Sequence, residues 1–147
     1  GHGALSENYY LDDGAYLAVK LLIAAAKAMH DGRELGHLIA KLDYPAEGRE
    51  YRLKILGAED FKSYGQDVLK HFEQRARDAG IRIASPSYEG VRLIFPNGWA
   101  LLRMSLHDPN MPLNVESREA GGCKAIAAKV RDMLAGFDAL DMSVFDK

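Results

Sequence analysis

From Tyr51 onward the chain predicts an α+β fold: an antiparallel four-stranded sheet with two helices on one face, in the order β-α-β-β-β-α. Three observations carry this. Short runs with an apolar residue at every second position alternate with longer runs whose apolar residues recur every three or four. The tripeptide Pro96-Asn97-Gly98 joins two of the short runs, and Asn-Gly accepts the positive φ angles of a tight hairpin, so those runs are antiparallel. Finally, Pro45-Ala46-Glu47-Gly48 combines proline, glycine and charge as a linker, and the pattern changes beyond it.

The elements follow in order. Asp12-Asp13-Gly14 precedes a helical pattern that runs to about His30 and stops at Asp31-Gly32. Acidic residues suit a helix start because they accept from its free N–H groups and face the positive end of the dipole. A short second helix is expected from Glu34 to Leu42, ended by Asp43-Tyr44-Pro45. Tyr51, Leu53 and Ile55 alternate with Arg52 and Lys54 as a half-buried strand. Gly57 opens a long helix with Phe61, Tyr64, Val68, Leu69, Phe72 and Ala76 on one stripe, stopped by Gly80. Ile81 to Ala84 reads as a short extended piece. Val91, Leu93 and Phe95 mark the second strand, Trp99 to Ser105 the third, and Leu113 to Ser117 the fourth. Gly121-Gly122 leads into a last helix with Cys123, Ile126, Val130, Met133, Leu134 and Phe137 on one face. Residues 1–44 are too few and too one-sided to build a core of their own, so they read as the tail of a preceding domain, with 45–147 as the domain proper.

Composition bounds the function classes. The 147 residues are 48% hydrophobic and 27% charged, ordinary for a globular protein in water. A net charge of −2 gives no reason to expect a nucleic-acid partner. The richest apolar run, Tyr16 to Met29, is broken by Lys20 and Lys27, and no stretch approaches the length of a membrane span. The lone Cys123 cannot form an internal disulfide and reads as a small buried apolar residue, which fits a cytoplasmic location. The chain opens Gly1-His2-Gly3 without an initiator methionine, as a cloning remnant or a piece of something longer would.

The segment from Trp99 to Pro109, WALLRMSLHDP, carries the chemistry. An apolar strand does not need Arg103 at its end for folding. With Ser105 and His107 two and four residues on, Arg103 offers a planar fork of donors, a hydroxyl and an imidazole to one anion, and phosphate matches the fork bidentately. The competing reading is an edge arginine in a surface ion pair. Asp12 and Asp13 read as a helix cap rather than a metal site, and His30, His37 and His71 have no partners at ligand spacing.

Taken together these residues resemble the α-D-phosphohexomutases, in particular the phosphomannomutase/phosphoglucomutase group. GHGALSENYYLDDGAYLAVKLL is similar to the end of that family's third domain, where a Ser-Gly-His loop precedes an Asp-Asp-Gly helix start. Glu89-Gly90-Val91-Arg92 and Gly98-Trp99 are similar to the Asp-Gly-Val-Arg and Gly-Trp strands of the fourth domain, and Arg103-Met104-Ser105 to the opening of its phosphate loop, with Glu116 matching the glutamate on the next strand. The resemblance implies that residues 1–44 are the helical remnant of an α/β third domain, and 45–147 a fourth domain with the TATA-box-binding-protein-like fold. It implies an isomerase activity of the phosphotransferase type: a phosphoserine donates its phosphoryl group, a hexose 1,6-bisphosphate forms and turns over, and the phosphoryl group returns. Mg²⁺ would offset charge on that group from an aspartate loop outside this chain. Arg103 would clamp the non-reacting phosphate, Ser105 would donate its hydroxyl, Leu106 only its backbone N–H, and His107 a ring N–H. Leu106-His107 departs from the Asn-Thr or similar polar pair of many members. His2 matches a histidine placed for proton transfer, if it is native. The implied partners are a mannose or glucose phosphate and the N-terminal domains of the same polypeptide, with no nucleic acid and no membrane. No segment resembles the phosphoserine loop or the Asp-x-Asp-x-Asp metal loop, so these 147 residues alone are expected to be inactive. The alternative is a stand-alone, non-catalytic phosphosugar-binding module.

Overall fold

The structure, a computed structural model, describes residues 3–146 and divides into two compact units between Asp43 and Tyr44. In the first, a β-bridge pairs Ala4 with Asp12 around a turn at Asn8–Leu11, whose two central residues are left-handed (Tyr9 φ 53°, Tyr10 φ 58°). Asp13 then caps helix α1 (Gly14–His30), its carboxylate accepting from the Tyr16 N–H at 2.9 Å. The capping role predicted for the acidic pair is thus the observed one for Asp13. The second helix is shorter than expected: only a 3₁₀ helix forms, Leu35–Ile39. So short a segment, interrupted by Gly36, cannot repay the nucleation of an α-helix.

The second unit is an antiparallel sheet with two helices on one face, as predicted, but with five strands rather than four. These are β1 (Glu47–Lys54), β2 (Arg82–Ile83), β3 (Val91–Phe95), β4 (Gly98–Leu102) and β5 (Asn110–Ser117), in the spatial order β1-β5-β4-β3-β2. The extra strand is the piece after Gly80: Arg82 and Ile83 pair with Ile94 and Leu93 at the sheet's edge. Three boundaries also move. β1 begins at Glu47, inside the expected linker, because its ladder with β5 continues to Glu47 opposite Ser117. Its first residues are charged, as an edge strand's often are, so they carry no alternation to read. β4 stops at Leu102, and β5 starts at Asn110 instead of Leu113.

Helix α2 (Phe61–Asp78) begins at an Asp60 cap rather than at Gly57, the carboxylate accepting from Lys62 and Ser63 N–H groups at 3.0 and 3.1 Å. Its stripe of Val68, Phe72 and Ala76 is fully buried, together with Cys123 and Val130 of α3 (Gly122–Met133). Both helices meet the same sheet face, formed by Leu53, Leu93, Leu102, Met111, Leu113 and Val115. Cys123 is therefore the buried apolar residue expected, and burial pushes its thiol pKa up. The opposite sheet face carries Arg92, whose guanidinium lies 4.4 Å from the Trp99 ring centroid, while the Trp99 Nε1–H donates to Glu116 at 3.0 Å.

Helix α3 has no cap of its own at Gly121. Instead the Glu47 carboxylate of β1 accepts from the N–H groups of Gly121 (2.7 Å) and Cys123 (3.1 Å). At the other end Arg75 of α2 donates to the carbonyls of Met133 (2.6 Å) and Ala135 (2.7 Å). Each charge faces the dipole end of opposite sign. The two backbone N–H bonds hold the Glu47 carboxyl below its usual pKa. A depressed folded-state pKa makes this contribution complete above the ordinary glutamate range, about 4.3, and lost as the pH falls through the folded value. Glu47→Gln should lower Tm at pH 7, and the gap to the parent should close on acidification. Thermal melts from pH 7 to pH 3 check this, and a gap independent of pH would refute it.

Candidate functional site

The β4–β5 loop, Arg103 to Pro109, is held at its base by two backbone bonds. The Arg103 N–H donates to Pro112 O and the Ser105 N–H to Asn110 O, both at 3.0 Å. Inside the loop the Ser105 Oγ accepts from the N–H groups of His107 (3.4 Å) and Asp108 (3.2 Å). This is a side chain standing in for a backbone turn. It spends the oxygen's lone pairs on the loop and leaves the hydroxyl proton to be donated elsewhere. Leu106 and His107 form the exposed tip.

Two close approaches fix where Arg103 and Met104 lie. Gly90, at φ +138°, sits so near the end of β4 that a Cβ there would meet Leu102 O at 2.2 Å and Arg103 Cα at 2.9 Å. On α2, a Cβ at Gly65 would meet Met104 Sδ at 2.6 Å, so the bare helix surface at Gly65 seats the methionine. Arg103 is thus held from the β3 side and its neighbour from the helix side.

Arg103 is half-buried, and among the described residues its guanidinium has no hydrogen bond or ion pair. The surface ion pair considered from sequence is therefore not formed. The nearby carboxylate that feels it, Glu50, is held below its usual pKa chiefly by the Arg52 side chain, then by Asn114, with Arg103 a smaller, through-space contributor. At the loop's exit, Asn110 has a buried Oδ1 without a hydrogen-bond partner.

Of the predicted site residues, Arg103, Ser105, Leu106 and His107 are contiguous in this loop. His2 lies outside the described residues. Glu116 lies on the strand that follows the loop, as the resemblance has it, and pairs with Trp99 about 20 Å along β5 from Asn110. Among the described residues no group of three or more His, Cys, Asp or Glu side chains is placed to hold a metal ion, and no helix is long and apolar enough to cross a membrane. The sequence reading missed Gly65 and Gly90 as shaping residues. Gly90 stood in a quoted motif, but a close approach between distant segments leaves no local signal.

Three comparisons bear on this arrangement. No family profile matches the chain. A probable phosphoglucosamine mutase of Methanocella arvoryzae is 27% identical over 125 residues, which is 85% of this chain and 26% of that protein. The chain thus spans about a quarter of the curated relative it matches. The crystal structure of a phosphoglucomutase/phosphomannomutase family protein from Burkholderia thailandensis superposes with a TM-score of 0.67 at 20% identity, covering 97% of this chain and 28% of that one. Fold and sequence similarity together support kinship with the C-terminal part of the phosphohexomutases.

The close approaches predict graded effects. Gly90→Ala, which has no room for its methyl group and an unfavourable φ, should destabilise the chain by about 3 kcal/mol in urea unfolding. Gly65→Ala meets only the flexible end of Met104 and should cost about 1 kcal/mol. Gly65→Ala should also speed amide exchange at His107 and Asp108. Unchanged exchange in a folded Gly65→Ala protein would show that the methionine seat does not order the loop.

Proposed function

We propose that this chain is the phosphate-holding, C-terminal part of a hexose-phosphate mutase, and that its β4–β5 loop grips the phosphate that does not react. The observation that carries this is the half-buried, unpaired guanidinium of Arg103 beside a serine whose hydroxyl proton is free to donate. A half-buried cation with no counter-charge in contact can take up an anionic ligand, and guanidinium pairs with phosphate through two parallel bonds. The kinship with mutases supports the choice of ligand.

In this reading the chain's residues position and do not transfer. Arg103 supplies charge and orientation, Ser105 one hydrogen bond, Leu106 a backbone N–H, and His107 a ring N–H at the loop tip. The variant pair Leu106-His107 replaces two neutral polar side chains with one hydrophobe and one titratable ring. Such gripping lets a sugar phosphate be held in either orientation while chemistry proceeds elsewhere. The phosphoserine, the Mg²⁺ site and hexose 1,6-bisphosphate turnover are assigned to other parts of the longer protein. His2, if native, is the proton-transfer candidate. Mannose, glucose and glucosamine phosphates are the substrates to compare.

Calorimetric titration tests the reading. Arg103→Ala should weaken mannose 1-phosphate binding about 10- to 100-fold, the worth of charge-assisted hydrogen bonds. Arg103→Lys should recover only part of it, because an ammonium cannot bind bidentately. Equal affinity in the parent and Arg103→Ala would remove the phosphate assignment. In a coupled assay the 147 residues alone should show no mutase turnover, and turnover above background would contradict the division of labour.

A further inference from the structure

The two edges of the sheet are finished differently. At the β1 edge the chain covers itself in part: the Leu56 N–H donates to Ala139 O (2.7 Å), the Asp141 N–H donates to Lys54 O (2.8 Å), and Ile55 bridges to Leu140. Leu140 is buried, so this extended segment closes over the core as well. At the other edge β2 ends the sheet, with β3 as its neighbour.

Antiparallel pairing fixes which groups of β2 are left over. Arg82 lies opposite Ile94, Ile83 lies opposite Leu93, and the Ala84 N–H donates to Arg92 O at 2.8 Å. Residues 82 and 84 thus turn their backbone groups toward β3, and Ile83 between them turns its N–H and C=O away from the sheet. Among the described residues neither of these two groups has a hydrogen-bond partner. Such an edge accepts one more strand.

This edge lies in a groove. A hollow of about 610 Å³ is lined by β2 and its flanks on one side and by Glu73 and Arg77 of α2 on the other. A second, of about 480 Å³, shares Ile81 and Arg82 with it and runs to Phe95 and Lys129. The groove is basic on a chain whose net charge is −2: Arg77, Arg82 and Lys129 face a single carboxylate, Glu73, which is already paired with Arg77. Arg82 is exposed, and among the described residues it pairs with no carboxylate. Two copies of the chain meeting through this edge would bring like charges together, so the groove selects against its own copy and for an acidic strand.

We propose that the groove between β2 and α2 is a docking site for an extended acidic segment of another polypeptide, which adds as a further strand beside β2. Backbone bonds to Ile83 set its register, and its carboxylates meet Arg82 and Lys129. The proposal is independent of the phosphate reading of Arg103.

Fluorescence anisotropy with the whole chain and a labelled peptide, Glu-Val-Glu-Thr-Glu-Val-Glu, tests it at low salt. This peptide should bind about tenfold more tightly than Lys-Val-Lys-Thr-Lys-Val-Lys, and Arg82→Glu should abolish that preference. Tm should not change, because the Arg82 side chain is exposed. N-methylating one alternate set of the acidic peptide's backbone nitrogens should weaken binding about tenfold, the effect of one or two lost hydrogen bonds, and the other set should have little effect. At saturation, exchange of the Ile83 amide should slow by about tenfold or more. No binding of the acidic peptide, equal binding of the two peptides, or a preference that survives Arg82→Glu would overturn the proposal. Binding that is indifferent to N-methylation and leaves Ile83 exchange unaltered would overturn it too, since that is charge adsorption and not strand addition.

Discussion

Much of this protein's candidate chemistry hangs on a backbone-to-backbone contact at Gly90. The start of β3 and the end of β4 approach so closely there that no side chain fits between them. Strand pairing alone would set the two strands in register through Val91 and Leu102 and then let β4 run on. The approach at Gly90, together with Met104 lodged over Gly65, determines where the chain leaves the sheet and where Arg103 is presented. A cation delivered by a loop alone would be mobile. This one is delivered by the end of a buried strand.

The loop adds its own order. Ser105 takes two N–H groups into one oxygen, which turns a seven-residue excursion into a tight structure between two ladder bonds. The same hydroxyl keeps its proton for an outside acceptor. Structure and binding thus draw on different atoms of one small group, its lone pairs and its proton. That separation allows an anion to arrive without dismantling the turn that receives it.

How legible this was in the sequence depended on distance along the chain. The amphipathic stripes of α2 and α3 and the Asp13 cap are local patterns, and they predicted the elements they form; the hairpin at Pro96-Asn97-Gly98 also forms, but its turn is Pro96-Asn97, Gly98 belongs to β4, and neither Asn97 nor Gly98 takes the positive φ expected of the pair. The excess of Arg103 at the end of an apolar strand was legible for the same reason, because three or four neighbours suffice to make it odd. What escaped reading is non-local. β2 is two residues long and exists through its pairing with β3. The opening of β1 is charged and becomes a strand through β5. Glu47 serves a helix whose first turn is far away in sequence, and Gly65 and Gly90 are shaped by side chains and backbone they meet only after folding.

The placement of β1 has a consequence for how the molecule comes into being. Its neighbour in the sheet is β5 alone, with Glu47 opposite Ser117, and the Glu47 carboxylate then reaches the start of α3. During synthesis the first strand of this unit emerges with nothing to pair with, and waits while the 18 residues of α2, then the hairpin, then the loop are made. Its partner strand and the helix it caps leave the ribosome only after all of these. Closure of so distant a pair is slow and all-or-none in character. A ribosome that stalls before Asn110 therefore releases a chain with an unprotected strand edge, a substrate for chaperones and proteases rather than a smaller version of the domain.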